Sequence, residues 1–167
     1  MTFLDWIETT RVALFIQTSS WAFPAIEVIH VIAVVLVFGT IAVVDLRLLG
    51  LASTRRPYLG VAGDGLRVVW IAFAVAVVTG LLMFSTQAGS YFENTYFRIK
   101  MLALLAAGVN MMVMEVVTSR DVARWGATTE VALPTAARAA GLLSLAFWTI
   151  VVVCGRWIGF TMFSMPF

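Results

Sequence analysis

Residues 24–50 read PAIEVIHVIAVVLVFGTIAVVDLRLLG, a long apolar run whose few polar residues lie near its two ends. An apolar segment of this length is typical of a membrane-spanning helix, because about 20 residues cross the hydrocarbon core. Glu27 and His30 are three residues apart near one end, so a helix places them on the same face. Asp45 and Arg47 lie near the other end. The rise from residue 30 to residue 45 is about 22 Å, which predicts two polar sites in opposite leaflets.

The composition of the whole chain is that of a membrane protein. Its 167 residues are 62% hydrophobic and only 12% charged, whereas soluble domains carry about 25% charged residues. We therefore predict a single all-α domain over residues 1–167, an integral membrane four-helix bundle. The net charge of +2 reflects arginines near helix ends, and without a basic tract we expect no nucleic-acid partner. A single cysteine, Cys154, excludes a disulfide within one chain.

Hydrophobic patterning divides the chain into one surface helix and four spans. Residues 3–18 alternate apolar and polar groups at helical spacing and are too polar to cross, which predicts an N-terminal amphipathic interfacial helix. The loop after the first span carries Arg55, Arg56 and Pro57, and Asp64 is the expected N-cap of the second span. The predicted spans cover residues 24–50, 66–87, 96–118 and 136–162.

The distribution of basic residues predicts the orientation. The first and third loops are rich in arginine and the second is not, so by the positive-inside tendency both termini should be periplasmic in a bacterial inner (cytoplasmic) membrane. The inner helix ends should then be joined by salt bridges, with a proton pathway as the alternative. The charged residues at that end are Asp45, Arg47, Arg67, Glu115 and Arg120.

The outer end holds the best candidate for a functional site, because ionisable groups within a span are costly. Imidazole ligates haem iron, and arginine or lysine can pair with haem propionates. We therefore predict a haem b site in which His30 is the axial ligand and the metal-coordinating residue, and Glu27 orients it. A polar contact between helices is the alternative for His30. The cations expected to pair with the propionates are Arg98, Lys100 and Arg156.

The solitary histidine leaves the second axial position of a haem open to several ligands. The iron would be five-coordinate, take Met83 or Met101, or receive a histidine from another copy of the chain. Glycines within the spans should mark close approaches between helices, and Asn110 should form an interhelical hydrogen bond. The glycines expected to do so are Gly39, Gly80, Gly108 and Gly141.

Two stretches carry a resemblance to known families. Residues 24–50 and residues 96–112, YFRIKMLALLAAGVNMM, resemble a group of small bacterial four-span membrane proteins of unknown function, over nearly the whole chain. A second, more distant resemblance is to HemJ-type protoporphyrinogen oxidases and CopD-type copper-resistance membrane proteins. It rests on a histidine early in the first span, a glycine about nine residues on, an arginine at the end of that span and a lysine opening a later span. The resemblance implies His30 as a haem or metal ligand and carries over Arg47 and Lys100.

The function predicted from these features is haem b binding for electron transfer or redox sensing near the periplasmic side. Whether the protein is an oxidoreductase component stays open. Its expected partners are the lipid bilayer, further copies of the chain in a homo-oligomer, and a periplasmic or quinone electron partner. Two other classes compete with this prediction. One is a transporter of protons, ions or small anions that uses Glu27, His30 and Arg156, and the other is a structural membrane subunit without chemistry of its own.

Overall fold

The protein is an all-α membrane protein. Its computed structural model describes residues 2–118, 122–127, 129 and 133–163. For residues 115, 117, 118, 123, 124 and 163 it describes the backbone only. Four of the described helices are long and apolar enough to cross a membrane. The predicted all-α, multi-pass architecture is therefore confirmed. The helices are α1 (Phe3–Glu8), α2 (Arg11–Thr18), α3 (Ala22–Leu49), α4 (Tyr58–Thr86), α5 (Ala88–Glu93), α6 (Thr95–Thr118), α7 (Val122–Trp125) and α8 (Thr135–Phe163).

Helix α3 is central to the arrangement of the long helices. It packs along α4 on one side and along α8 on another, and α8 in turn packs along α6. Aromatic pairs add further contacts: Phe73 of α4 meets Trp148 of α8 edge to face at 6.4 Å, and Phe84 of α4 stacks on Phe97 of α6 at 5.5 Å between ring centroids. Polar residues of α3 can therefore reach partners on two neighbouring helices.

The second span begins at Tyr58, earlier than the sequence predicts. Pro57 occupies its N-cap position, and Asp64 lies inside the helix, so the prediction of Asp64 as the N-cap is wrong. The Asp64 carboxylate instead forms an ion pair of 2.7 Å with Arg56, and both side chains are exposed. The glycine-rich segment is helical partly because Gly65 is buried against α3, where a small residue lets two backbones approach closely.

Glycine marks a close approach at only some of the predicted positions. A Cβ added to Gly80 would meet His30 Cε1 at 3.2 Å, and one added to Gly141 would meet Leu48 Cβ at 3.1 Å. Gly39 and Gly108 have nothing within 4 Å of the added atom, so for them the prediction is wrong. Their faces point away from the packed helix contacts.

The N-terminal segment forms two short helices where the sequence predicts one. The break falls at Thr9 and Thr10, because the Thr10 side chain caps α2 by accepting a hydrogen bond from the backbone N–H of residue 13. The Gln17 side-chain amide donates to the carbonyls of Glu8 and Thr86. These bonds dock both helices onto the C-terminal end of α4, at the end of the four spans nearer to His30, which is termed the outer end. The indole rings remain largely exposed at Trp6 and Trp21, as expected of interfacial residues.

Candidate functional site

His30 is held in place by the neighbouring helix α4. Its Nδ1 atom lies 2.9 Å from Oγ1 of Thr79, which is buried within α4 with 7% of its surface exposed. Sequence reasoning assigned the orientation of His30 to Glu27 and missed Thr79. The signal that could have found it is a threonine followed by a glycine inside an otherwise apolar span, since polar groups there seek partners on adjacent helices.

The hydrogen bonds of Thr79 define the tautomer of His30. The Thr79 hydroxyl has one proton, and its Oγ1 lies 2.7 Å from the carbonyl oxygen of Val75, one helical turn back. A threonine within a helix commonly donates to that carbonyl. With its proton used there, Oγ1 is available to accept from His30, which favours the tautomer that carries its proton on Nδ1. Nε2 is then left with an unprotonated lone pair.

Gly80 and Lys100 complete the immediate surroundings of the imidazole. The ring edge packs over Gly80, where any side chain would crowd Cε1. Lys100 of α6 is half-buried, and its charge is close enough to act on His30. The ammonium group also lies beside α8, since a Cβ added to Gly155 would be 3.7 Å from Nζ. The only ion pair among the described residues is Arg56–Asp64, so Lys100 has no carboxylate partner there.

The remaining predicted site residues lie at the same outer end, and no described hydrogen bond or ion pair joins them to one another. The Arg98 guanidinium donates to the carbonyl of Glu93 at 3.4 Å, and that of Arg156 lies over the Phe160 ring, 4.9 Å from its centroid. Both arginines are exposed, as is Glu27. Burial raises the pKa of Tyr91, and the charge of Glu27 raises it further, so Glu27 faces α5. No described contact joins Glu27, His30 and Arg156.

Of the two methionines predicted as a second axial ligand of the haem, Met83 lies closer in the chain to Thr79, the residue that contacts His30. It follows Thr79 by four residues on α4, which places it one turn nearer the outer end on the same face of the helix. Its side chain is partly buried. Met101 follows Lys100 on α6 and is exposed. Of the two methionines, Met83 is therefore the better placed.

Comparison with known proteins identifies the family of the chain. A family model matches residues 3–161, nearly the full length. The chain belongs to DUF6644, a family of unknown function. No curated protein and no solved structure matches it. The family description assigns neither a cofactor nor a reaction, so haem binding and the resemblance to HemJ-type and CopD-type proteins stay predictions.

The inner end of this DUF6644 chain differs from the predicted set of salt bridges. Arg47 is buried, and its Nε donates to the carbonyl oxygen of Arg56 at 2.8 Å. Asp45 is buried with no cation paired to it among the described side chains. Neither residue therefore forms one of the predicted salt bridges with a described side chain. Arg120 lies outside the described part of the chain, as do the side chains of Glu115 and Arg124. Arg67 is exposed.

Two cavities of this DUF6644 chain lie at opposite ends of the long helices. One, of about 520 Å³, lies at the outer end between α2, α3 and α4, with Gln17, Phe23 and Thr86 in its lining. The other, of about 280 Å³, lies at the inner end and is lined by Leu49, Gly50, Leu133 and Arg138. Neither is lined by His30, so a large planar group beside the imidazole would have to separate side chains or lie at the lipid-facing side of the helices.

The interhelical hydrogen bond predicted for Asn110 is present. Its side-chain amide on α6 donates to the carbonyl oxygen of Ala140 on α8 at 3.0 Å. The bond joins α6 to α8 near the inner end of α8, five residues after its first residue. Asn110 is therefore a structural contact rather than part of the outer site.

Proposed function

We propose that the protein binds haem b near the outer end of its four spans, with Nε2 of His30 as the axial ligand, and that it transfers electrons or senses redox state. The hydrogen bond between His30 and Thr79 carries this proposal. It holds the proton on Nδ1, fixes the ring plane and leaves the Nε2 lone pair for a metal, which is the usual arrangement of a metal-ligating histidine. A bound haem would supply one-electron chemistry.

The charges at the outer end support the same proposal. Haem propionates are anions, and the Lys100 ammonium has no described carboxylate partner. Arg98 and Arg156 are exposed at that end, and among the described residues their partners are a carbonyl for Arg98 and an aromatic ring for Arg156. Each can therefore turn toward a propionate without breaking an ion pair, and paired charges cost less in a membrane than single ones. Met83 is the candidate for the second axial position.

The membrane and its sidedness belong to this proposal as well. We place the protein in a bacterial inner membrane with both termini periplasmic, because the arginine-rich loops favour the cytoplasm. The site of His30 then faces a periplasmic or quinone partner, and further copies of the chain could surround it in a homo-oligomer. Cysteine labelling at engineered loop positions in intact cells tests the orientation directly.

The experiment that tests haem binding is an absorption spectrum of the purified protein. Cells supplied with a haem precursor should yield coloured wild-type protein, and His30→Gly should lose the Soret band. Added imidazole should restore the band in His30→Gly, because a free ligand can occupy the vacated position while a merely structural role of His30 would give no such rescue. Colourless wild-type protein would overturn the proposal.

The location of the site is tested by a matched pair of arginine variants on one helix. Arg156 lies near the outer end of α8, and Arg138 lies near its inner end, and both are exposed. Arg156→Ala should weaken haem retention in a competition assay with apomyoglobin, whereas Arg138→Ala should leave it unchanged. Equal retention in the two variants would place the haem elsewhere.

A further inference from the structure

Asp45 is a buried carboxyl group near the inner end of α3, far along the helix from His30. Only 5% of its surface is exposed, and its Oδ2 atom is buried with no hydrogen-bond partner. Its backbone carbonyl lies against α8, where a Cβ added to Gly141 would meet it at 3.2 Å. The carboxyl group is therefore enclosed by protein near the inner surface of the membrane.

The arginines nearest in the chain do not neutralise Asp45. Arg47 is engaged with the carbonyl of Arg56 in the following loop, and Arg56 pairs with Asp64 at the surface. Arg138 on α8 lines the inner cavity and is exposed. An ionised carboxylate in a poorly solvated place needs a paired cation or several donors. The described residues give Asp45 neither.

Among the residues that the structure describes, the groups that face Asp45 from neighbouring helices are neutral. The Ser144 hydroxyl of α8 lies within hydrogen-bonding reach of the carboxyl group, and Tyr58 of α4 is close enough to sense its charge. The Tyr58 ring packs on Trp125 of α7 with centroids 5.2 Å apart. Trp125 is 3% exposed, and its Nε1 donor is also buried without a partner.

We propose that Asp45 is a proton-binding site at the inner end of the membrane domain. With the helices packed as in this structure, its carboxyl group is protonated and therefore neutral. The unpartnered Oδ2 carries the exchangeable proton, and the Ser144 hydroxyl lies beside the carboxyl group. This site is independent of the proposed haem site. The two residues share α3 but lie about 22 Å apart along it, and the Thr79 that holds His30 is 21 residues after Tyr58, the residue of α4 beside Asp45.

The proposed route of the proton is the inner cavity. It is lined by Leu49 and Gly50, four and five residues after Asp45, so it begins about one helical turn from the carboxyl group. Leu133 and Arg138 form its other side. The positive charge of Arg138 at this rim disfavours a metal cation as the occupant of the site, whereas a proton can be relayed by water.

The test uses dicyclohexylcarbodiimide on the full chain in lipid nanodiscs. This apolar reagent reacts with a protonated carboxyl: the carboxyl oxygen bonds to the carbodiimide carbon, the acid proton moves to a nitrogen, and nothing leaves. Peptide mass spectrometry should find Asp45 labelled at neutral pH and Asp64, exposed and ion-paired, unlabelled in the same sample. Labelling should fall about tenfold for each pH unit once the carboxyl ionises. Asp45→Asn should remove it.

Infrared spectroscopy provides the second measurement. Wild-type protein should show the carbonyl stretching band of a protonated carboxyl, and this band should be absent in Asp45→Asn and retained in Asp64→Asn. If Asp45→Asn leaves the spectrum of the protonated-carboxyl region unchanged, the proposal fails, whatever the labelling shows. Suppression of labelling by sodium but not by choline at constant pH would also overturn it, because the occupant would then be an alkali cation.

Discussion

Replacing Thr79 by valine tests the structural basis of the outer site. Valine keeps the shape of threonine but has no hydroxyl, so the Nδ1–H of His30 loses the acceptor that lies 2.9 Å away. Leaving a buried donor unpaired costs about 1–3 kcal/mol, while polar contacts between membrane helices are worth about 0.6 kcal/mol on average. Since His30 is only partly buried, we expect a loss of about 1 kcal/mol.

Thr149 provides the matched control for this substitution. It is an exposed threonine of α8 whose hydroxyl donates to the carbonyl of Leu145 at 2.7 Å, just as that of Thr79 donates to Val75. Thr149→Val therefore removes the same bond within a helix but no histidine contact, and should change stability by less than about 0.5 kcal/mol.

The assay is equilibrium unfolding in mixed micelles, followed by circular dichroism, with a double-mutant cycle between Thr79→Val and His30→Phe. The two single substitutions should not add, because each removes the same hydrogen bond. If Thr79→Val is no more destabilising than Thr149→Val, or if the two effects in the cycle add fully, the bond contributes nothing. The argument for the Nδ1-protonated tautomer would then fall with it.

Two further predictions concern helix packing and alkaline pH. Gly65→Ala should destabilise the protein by about 1–3 kcal/mol, because the new Cβ would lie 2.9 Å from Cγ2 of Thr40. The control is Gly39→Ala, which has open space around the new Cβ and should be neutral or stabilising by up to about 1 kcal/mol. Similar unfolding curves for the two variants would contradict this prediction. Burial, aided by the charge of Glu27, raises the pKa of Tyr91, so the folded state holds that proton more tightly than the unfolded chain and loses stability as the pH rises above about 10. Tyr91→Phe should lose less stability than the wild type between about pH 9 and 11 in the same unfolding assay, and an equal loss in both proteins would refute the assignment.

The four spans were predictable because the requirement for about 20 apolar residues per crossing leaves few choices. The start of the second span was not. Gly60, Gly63 and Asp64 resemble a loop in local sequence, and glycine and aspartate are poor helix formers. Tertiary packing outweighs that preference, since Gly65 is buried against α3 and Arg56 pairs with the Asp64 carboxylate.

The site was predictable in its central residue but not in its partners. His30 stands out as the single imidazole in an apolar span. The choice of Glu27 as its orienting group rested on spacing within one helix, and that reasoning cannot show which residue of another helix faces the ring. Thr79 is 49 positions away in the chain. A threonine among apolar residues is also common, so only the packing of α3 on α4 distinguishes this one.

The angular positions of His30 and Asp45 explain why one helix serves two different neighbours. Fifteen residues at about 100° per residue leave a net rotation of about 60° between them, so the two side chains point toward adjacent rather than identical faces of α3. This offset matches a helix flanked by α4 on one side and α8 on the other. Substitutions at His30 should therefore loosen the contact of α3 with α4, and substitutions at Asp45 its contact with α8. Crosslinks between paired cysteines at each interface would show the two effects separately, and a loss of both crosslinks from either substitution would contradict the independence of the two sites.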